Sequence, residues 1–188
     1  MRIHPIPPEQ LSPEVRFVHD EIAGLVGRSQ RQVSMLNEQG ALTGPFPAML
    51  HYPQFGIPAL SFLRTLDTHA TLDKRVREVA ILTVGAAFGA RFELYAHAIM
   101  AEAFGLPADT IAAIAAGGHP YGLNEQEAIA HHIAFALAAG RIVPASTYNR
   151  AVALHGQDAV SELFFLVAGY CLIAVILNGF DIPAPDNP

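Results

Sequence analysis

The stretch that decides the fold runs from Arg77 to Gly105 and has the sequence REVAILTVGAAFGARFELYAHAIMAEAFG. Two apolar runs of helical length lie on either side of Gly89, a residue type that often ends helices because it adopts the left-handed conformation without strain. The link between the two runs is short, so the two helices are expected to be antiparallel neighbours. The sequence therefore predicts a helical hairpin of residues 73–88 and 91–104.

The rest of the chain has weak strand signals and strong helix signals. Ser12 precedes Pro13 in the manner of an N-cap before a proline at the first helical position. Asn124 and Glu127 have the spacing of a capping box, and Asp158 is placed to cap the last helix. Glycines and prolines then mark the ends. These signals predict seven or eight helices in an all-α bundle: residues 13–26, 53–67, 73–88, 91–104, 107–117, 124–139, 144–156 and 158–177.

The segments between these helices are expected to be short, with two exceptions. Residues 28–52 contain Gly40, Gly44, Pro45 and Pro47, and we expect a loop with short helical pieces there. The tail of residues 183–188 is rich in proline and is expected to lie on the surface without helical structure.

The composition fits a single soluble domain with an N-terminal extension. The chain has 188 residues, of which 52% are hydrophobic, so a core is easily filled. The net charge of −6 and the absence of Lys or Arg runs disfavour a nucleic-acid partner. The longest apolar run, Phe164–Leu177, has about 14 residues, whereas a membrane span needs roughly 20. We expect a cytoplasmic protein with no membrane segment, and the surplus of apolar residues favours an oligomer.

Glu93 and His97 are the polar residues of the hairpin best suited to chemistry. They lie one helical turn apart, so their side chains project from one face. A carboxylate beside an imidazole can steer protons near neutral pH. At 1.5 Å of rise per residue, Glu78 on the preceding helix lies about 5 Å from His97 along the axis of the hairpin. Two alternatives stay open: the Glu93–His97 pair only stabilises its helix, and Glu78 is a surface acid paired with Lys74 or Arg75.

Several motifs resemble those of the carboxymuconolactone decarboxylase family, which is related to the alkylhydroperoxidase D proteins. The motifs are Arg77–Leu82, Phe92–His97 with Gly105 and Leu106 after it, and the closing Ser161–Pro183, with Pro47–Pro53 also fitting. The resemblance covers about residues 45–185. It implies an alkylhydroperoxidase D-like helical domain of residues 45–188, preceded by an N-terminal helix and extension of residues 1–44. It also implies a homotrimer or a hexamer built from trimers.

The chain departs from the peroxidase branch of this family, which has Cys-x-x-Cys-x-x-x-His. Counting back from His97, Glu93 and Ala90 stand at the two cysteine positions. The lone Cys171 lies in an apolar run and is expected to be an inert core thiol. Because thiol-based peroxide reduction needs an activated thiolate and normally a resolving partner, a peroxidase is disfavoured.

The resemblance implies a cofactor-independent lyase or isomerase that acts on a small carboxylated ring or lactone. His97 would be the proton donor or base, Glu93 would orient it and raise its pKa, and Glu78 would be a second acid or base. Arg91 or Arg77 would bind the substrate carboxylate, although an exposed, solvated Arg is the simpler account of each. The alternative from another class is a non-catalytic, ligand-binding or structural oligomer of the same fold.

Other polar residues receive weaker assignments. His51 and Tyr52 are expected in a loop near the pocket, where they would line the site. His131 lies four residues after Glu127 and is expected to form a solvated pair with it. Asn178 is expected to cap a helix end. No metal is expected, because Glu93 and His97 supply two ligands and no third is identifiable.

Overall fold

The structure is a computed structural model that describes residues 1–29, 33 and 35–185, with the backbone alone for residues 25–29. Parts of the predicted loop 28–52 and of the tail 183–188 therefore lie outside the described residues. In the described part, nine α-helices and one isolated β-bridge, Leu36 to Leu42, are present. The predicted all-α fold is confirmed. The helices are α1 (Pro13–Ser29), α2 (Phe46–His51), α3 (Pro53–Thr68), α4 (Lys74–Phe88), α5 (Arg91–Ala103), α6 (Ala108–Ala115), α7 (Glu125–Ala138), α8 (Ala145–His155) and α9 (Gln157–Gly179).

Most helix ends lie where the capping residues predict them. The Asp73 side chain accepts a hydrogen bond from the backbone N–H of Arg75 and starts α4, which ends at Gly89 in the left-handed conformation (φ 62°). Asn124 and Glu127 form the predicted capping box of α7. The prediction for α9 is wrong at its start, because Gly156 precedes the helix at φ 86° and Asp158 lies inside the first turn. The glycine makes the left-handed entry possible, so the helix begins earlier.

Helix α4 is the centre of the bundle. It packs against α5, α6, α7 and α9, and ten consecutive residues from Val76 to Gly85 are buried. A helix that is enclosed on all sides is normally apolar all round. Here Arg77, Glu78 and Thr83 are buried within it, so each needs a specific partner on a neighbouring helix.

Helix α9 is long and apolar enough to span a membrane by length and composition alone. In the fold it packs against α3, α4, α5, α7 and α8, as a core helix of a soluble protein does. The sequence predicts a buried helix at Phe164–Leu177, and the structure buries the part of α9 that packs against these helices. One side of α9 stays exposed and presents Phe165, Leu172 and Val175.

The two ends of the described chain are joined to the bundle at the same place. The N-terminal amine lies 3.2 Å from an Asp181 carboxylate oxygen, and the Arg2 N–H donates to the Phe180 carbonyl at 2.8 Å. The Asn178 side chain donates to the Phe88 carbonyl at 2.7 Å, so it caps the end of α4 and not that of its own helix. These contacts fix the end of α9 against the α4–α5 turn. The division between residues 1–44 and 45–188 stays a prediction.

Candidate acid–base site

A hydrogen bond between His97 and Glu78 is the central feature of the candidate site. The antiparallel α4–α5 hairpin places His97 Nδ1 2.8 Å from Glu78 Oε2. The Glu78 side chain is 5% exposed and that of His97 is 13% exposed, so the pair lies at the edge of the core. The alternative in which Glu78 is a surface acid is therefore wrong. Arg75 instead lies 2.8 Å from Glu127.

The contact with Glu78 determines which nitrogen of His97 is available. A carboxylate only accepts hydrogen bonds, so Nδ1 donates and carries the proton. Nε2 is then the nitrogen that can accept or deliver a proton. The Tyr170 ring packs edge-on against the imidazole, with the ring centroids 5.0 Å apart and the planes at 88°. Glu78 and Tyr170 together hold the imidazole from two sides.

Glu93 does not hold His97 as the sequence predicts. Its side chain is turned into the core, and the residue is 2% exposed. A Cβ built at Gly85 on α4 would lie 3.3 Å from Glu93 Oε1, so the missing side chain at Gly85 leaves room for this carboxyl group. The predicted role of Glu93 in orienting the imidazole is wrong, because Glu78 makes that hydrogen bond.

The carboxyl group of Glu93 is unusual in its isolation. Neither of its oxygens has a hydrogen-bond partner among the described residues. Burial raises the pKa of Glu93 well above its ordinary value, because the charged form loses its hydration. Burial therefore favours the neutral acid form of Glu93, which carries an O–H.

Tyr170 and Cys171 bring two further protonated groups to this region from α9. Burial, followed by the negative charges of Asp67 and Glu78, raises the pKa of Tyr170 far above its ordinary value. Burial and then the nearby Glu93 raise the pKa of the Cys171 thiol. A thiol in this state is a weak nucleophile. Tyr170 was missed as a site residue; its only signal was its place in the motif around Gly169.

The two arginines that were candidates for binding the substrate are engaged in ion pairs. Arg91 Nη2 lies 2.6 Å from Asp181 at the surface. Arg77 is buried, not solvated, and pairs with Asp67 at 2.7 Å and with Glu162 at 2.9 Å. In the described part of the chain neither arginine contacts Glu78, Glu93 or His97. Their role in binding a substrate stays a prediction.

His51 and Tyr52 also have other contacts. His51 is the last residue of α2 and not a loop residue, and its Nε2 lies 3.0 Å from the His4 carbonyl. Tyr52 stacks on Phe180, with the ring centroids 6.1 Å apart. Neither residue touches the Glu78–His97 pair within the described ranges, and their lining of a site stays a prediction.

Two cavities stand out in the described part of the chain, and neither is lined by Glu78, Glu93 or His97. One is an apolar cavity of about 390 Å³ between α2, α3 and α9, with Tyr52 and Phe55 among its walls. The other has about 290 Å³ and is lined by residues 119–123, Ala128, His131 and His132. Because neither cavity reaches His97, a substrate would approach it at the surface, where its side chain is 13% exposed.

His131 is not the solvated partner of Glu127 that the sequence predicts. It is 9% exposed, and its Nδ1 lies 2.8 Å from Thr83 Oγ1. Glu127 instead forms an ion pair with Arg75 and belongs to the capping box of α7. No group of three His, Cys, Asp or Glu side chains that could hold a metal ion is found within the described residues.

Comparison with known proteins identifies the fold and a family segment. Two solved structures are similar over nearly the whole chain. The first is an alkylhydroperoxidase AhpD core, an uncharacterized peroxidase-related protein from Ralstonia eutropha JMP134, with a TM-score of 0.76, 14% identity and coverage of 98% of this chain and 92% of that one. The second is the debrominase Bmp8, as a cysteine-to-alanine variant in complex with 2,3,4-tribromopyrrole, with a TM-score of 0.72, 13% identity and coverage of 97% and 90%.

Such low identities show a shared fold and do not transfer a reaction. Comparison with curated proteins gives no match. The model of the carboxymuconolactone decarboxylase family matches residues 59–134, the segment that contains Glu78, Glu93 and His97. Through this segment the chain is similar to the carboxymuconolactone decarboxylase family, and its fold is alkylhydroperoxidase D-like.

Proposed function

We propose that this protein is a cofactor-independent lyase or isomerase of the decarboxylase type, acting on a small carboxylated ring or lactone. The observation that carries the proposal is the 2.8 Å hydrogen bond between Glu78 and His97 at the edge of the core. An oriented imidazole with one free nitrogen is a general acid–base group suited to neutral pH. The match of the surrounding segment to the decarboxylase family supports the same reaction class.

In this proposal His97 transfers the proton and Glu78 positions it. Glu78 accepts a hydrogen bond from Nδ1–H and fixes the orientation of the ring, so Nε2 is the nitrogen that exchanges a proton with the substrate. In a decarboxylation the bond between the ring carbon and the carboxylate breaks and CO₂ leaves. The electron pair stays on the ring carbon and its conjugated system until that carbon takes the proton from His97. Water then returns a proton to the imidazole, so atoms and charge balance.

Tyr170, which packs on His97, would bind the substrate carboxylate as a neutral donor, and the buried Glu93 would help by adding no negative charge nearby. Burial raises the pKa of both groups and so favours their protonated forms. A neutral donor next to an anion is favourable, whereas an ionised Glu93 would repel it. This arrangement supplies hydrogen bonds without requiring Arg91 or Arg77, whose guanidinium groups are paired. The role of Glu93 thus changes from orienting His97 to keeping the region beside it free of a second negative charge.

We also propose that the protein is a cytoplasmic homotrimer or hexamer with no nucleic-acid or membrane partner. The exposed apolar side chains of α9, Phe165, Leu172 and Val175, would give such an assembly apolar surface to bury. No cofactor takes part in the proposed reaction.

A screen of carboxylated lactones for CO₂ release tests the proposed reaction. We expect turnover by the wild type and a fall of about 10²- to 10⁴-fold in His97→Gln, the range that a general acid–base residue contributes. Glu78→Gln should retain the fold and lose part of the rate. His69→Gln, which changes an exposed histidine at the end of α3, is the matched control and should keep full activity. Equal rates in the wild type and His97→Gln would overturn the assignment.

One observation favours the alternative function, ligand binding without catalysis. The described cavities lie apart from Glu78 and His97, and the apolar one has room for a small molecule. On this alternative, a lactone would bind the wild type and His97→Gln with the same affinity, and neither protein would release CO₂. Calorimetry beside the activity screen distinguishes the two functions.

A further inference from the structure

The cavity of about 290 Å³ between the α6–α7 loop and α7 is a second candidate binding site, separate from the acid–base pair. Three histidines are among its lining residues, His119, His131 and His132, together with Tyr121 and Leu123. It lies on the side of α4 that packs against α7, whereas Glu78 faces His97 on α5. For comparison, an engineered apolar cavity of about 150 Å³ in another protein binds benzene. The space here is therefore sufficient for a single ring with one or two substituents.

The two hydrogen bonds of the Thr83 hydroxyl fix the tautomer of His131. The Thr83 hydroxyl donates its only proton to the Val79 carbonyl at 2.6 Å. Its oxygen can then only accept from His131 Nδ1, which lies 2.8 Å away, so Nδ1 carries the ring proton. Nε2 keeps its lone pair. It is not one of the fully buried side-chain polar atoms that lack a hydrogen-bond partner. His131 therefore offers a hydrogen-bond acceptor at Nε2, and the residue is part of the cavity lining.

The loop that forms the other wall is held in place. Thr110, which is 3% exposed, donates from its hydroxyl to the Tyr121 carbonyl at 2.6 Å. Gly122 follows at φ 77°, a left-handed conformation that glycine adopts without strain. A Cβ at Gly122 would lie 3.3 Å from Thr110 Oγ1, so a larger residue would press on this anchor. The cavity is thus a formed feature of the fold.

The walls of the cavity select against ions. The lining contains no Asp, Glu, Lys or Arg side chain, so a charged ligand would find no opposite charge there. Burial, followed by His132 and His119, lowers the pKa of His131 to about 4, so this imidazole stays neutral at neutral pH. Its ring lies 6.0 Å from that of His132, which also lines the cavity, so the lining contains flat rings against which another ring can pack.

We propose that this cavity binds a small neutral aromatic molecule that carries a hydroxyl or ring N–H group, and that this group donates a hydrogen bond to His131 Nε2. The neutral acceptor, the flat ring surfaces and the absence of charged lining residues together define this class of ligand. The inference does not depend on the reaction at His97, because none of its residues belongs to the acid–base pair.

Phenol and anisole form the test pair, since they share a ring but only phenol has a donor. Each is titrated into full-length protein while the imidazole nitrogens are followed by ¹H–¹⁵N NMR. Phenol should shift the His131 Nε2 resonance and bind about tenfold more tightly than anisole, as one hydrogen bond allows. In His131→Phe, which keeps a ring and leaves the Thr83 hydroxyl bonded to Val79, the two molecules should bind equally.

Two controls separate this site from the others. His69→Gln and His97→Gln should both keep the preference for phenol, the second even if CO₂ release is lost. Equal binding of phenol and anisole by the wild type would overturn the proposal, as would a phenol preference that survives in His131→Phe. Shifts confined to α5 and α9 would also overturn it. If His131→Phe does not fold, the wild-type resonance of Nε2 decides the question alone.

Discussion

At the scale of single residues, the environment of each acid decides its chemistry. Glu78 and Glu93 are both buried, yet only Glu78 has an imidazole to compensate its charge. Glu93 has no partner for either oxygen in the described part, so the neutral form is favoured. Two carboxyl groups in such different environments can have different roles, Glu78 as the group that positions His97 and Glu93 as an uncharged neighbour.

The raised pKa of Glu93 predicts a stability that falls as pH rises. Between the ordinary pKa of a glutamate and the raised folded value, the folded protein binds one proton more than the unfolded chain. The free energy of unfolding therefore falls as pH rises through that window, with a slope of at most about 1.4 kcal/mol per pH unit. In Glu93→Gln this loss should disappear, because the amide does not titrate. Urea unfolding at several pH values from about 5 to 8 measures it.

Glu102→Gln is the matched control for this measurement. Glu102 is an exposed acid on the same helix, so its removal should leave the wild-type pH dependence in place. A wild-type stability that does not fall in the window, or the same fall in Glu93→Gln, would show that Glu93 is not the group responsible.

At the scale of helices, close backbone contacts set how elements can pack. Helices α2 and α3 meet where Gly56 lies against Met49, and a Cβ at Gly56 would collide with the Met49 backbone. The sequence predicted α3 from Pro53, and for the segment with α2 it predicted a loop with short helical pieces. A helix of one or two turns has little intrinsic stability, so α2 forms through packing of its buried residues and not through propensity.

Replacing Gly56 should be costly although alanine is the better helix former. Gly56→Ala gains about 1 kcal/mol in helix propensity, but the collision with Met49 forces α2 and α3 apart. We expect a net loss of about 1–3 kcal/mol in the free energy of unfolding, the usual range for overpacking. Chemical denaturation measures the change.

The control for Gly56→Ala is Gly179→Ala at the end of α9. A Cβ there would meet no atom within 4 Å, so the substitution should be neutral or slightly stabilising. If both variants had the same stability, the close approach of α2 to α3 would not be a packing constraint.

At the scale of the whole molecule, the proposed assembly gives a direct prediction of mass. One chain has a mass of 20.1 kDa, so light scattering coupled to size-exclusion chromatography should give three or six times this value. The apolar surface left exposed on α9 is the physical reason to expect association. A mass of 20.1 kDa that persists at high protein concentration would contradict the homotrimer and the hexamer together.

The sequence by itself determined most of the helices, because caps, glycine stops and apolar periodicity act over a few residues. Asp73, Gly89 and the Asn124–Glu127 box lie at helix ends as their local chemistry requires. It also identified the segment with Glu78, Glu93 and His97, since so few polar residues interrupt it.

Only the tertiary structure decided which acid meets His97 and where His131 points. Spacing along one helix places Glu93 and His97 on one face, but the rotation of α4 against α5 and α9 brings Glu78 to the imidazole. The carboxyl group of Glu93 instead lies in the space that the missing side chain at Gly85 leaves in the core. His131 on α7 forms a hydrogen bond with Thr83 on α4. Such choices depend on how side chains from several distant helices fill the same volume, which no local pattern specifies.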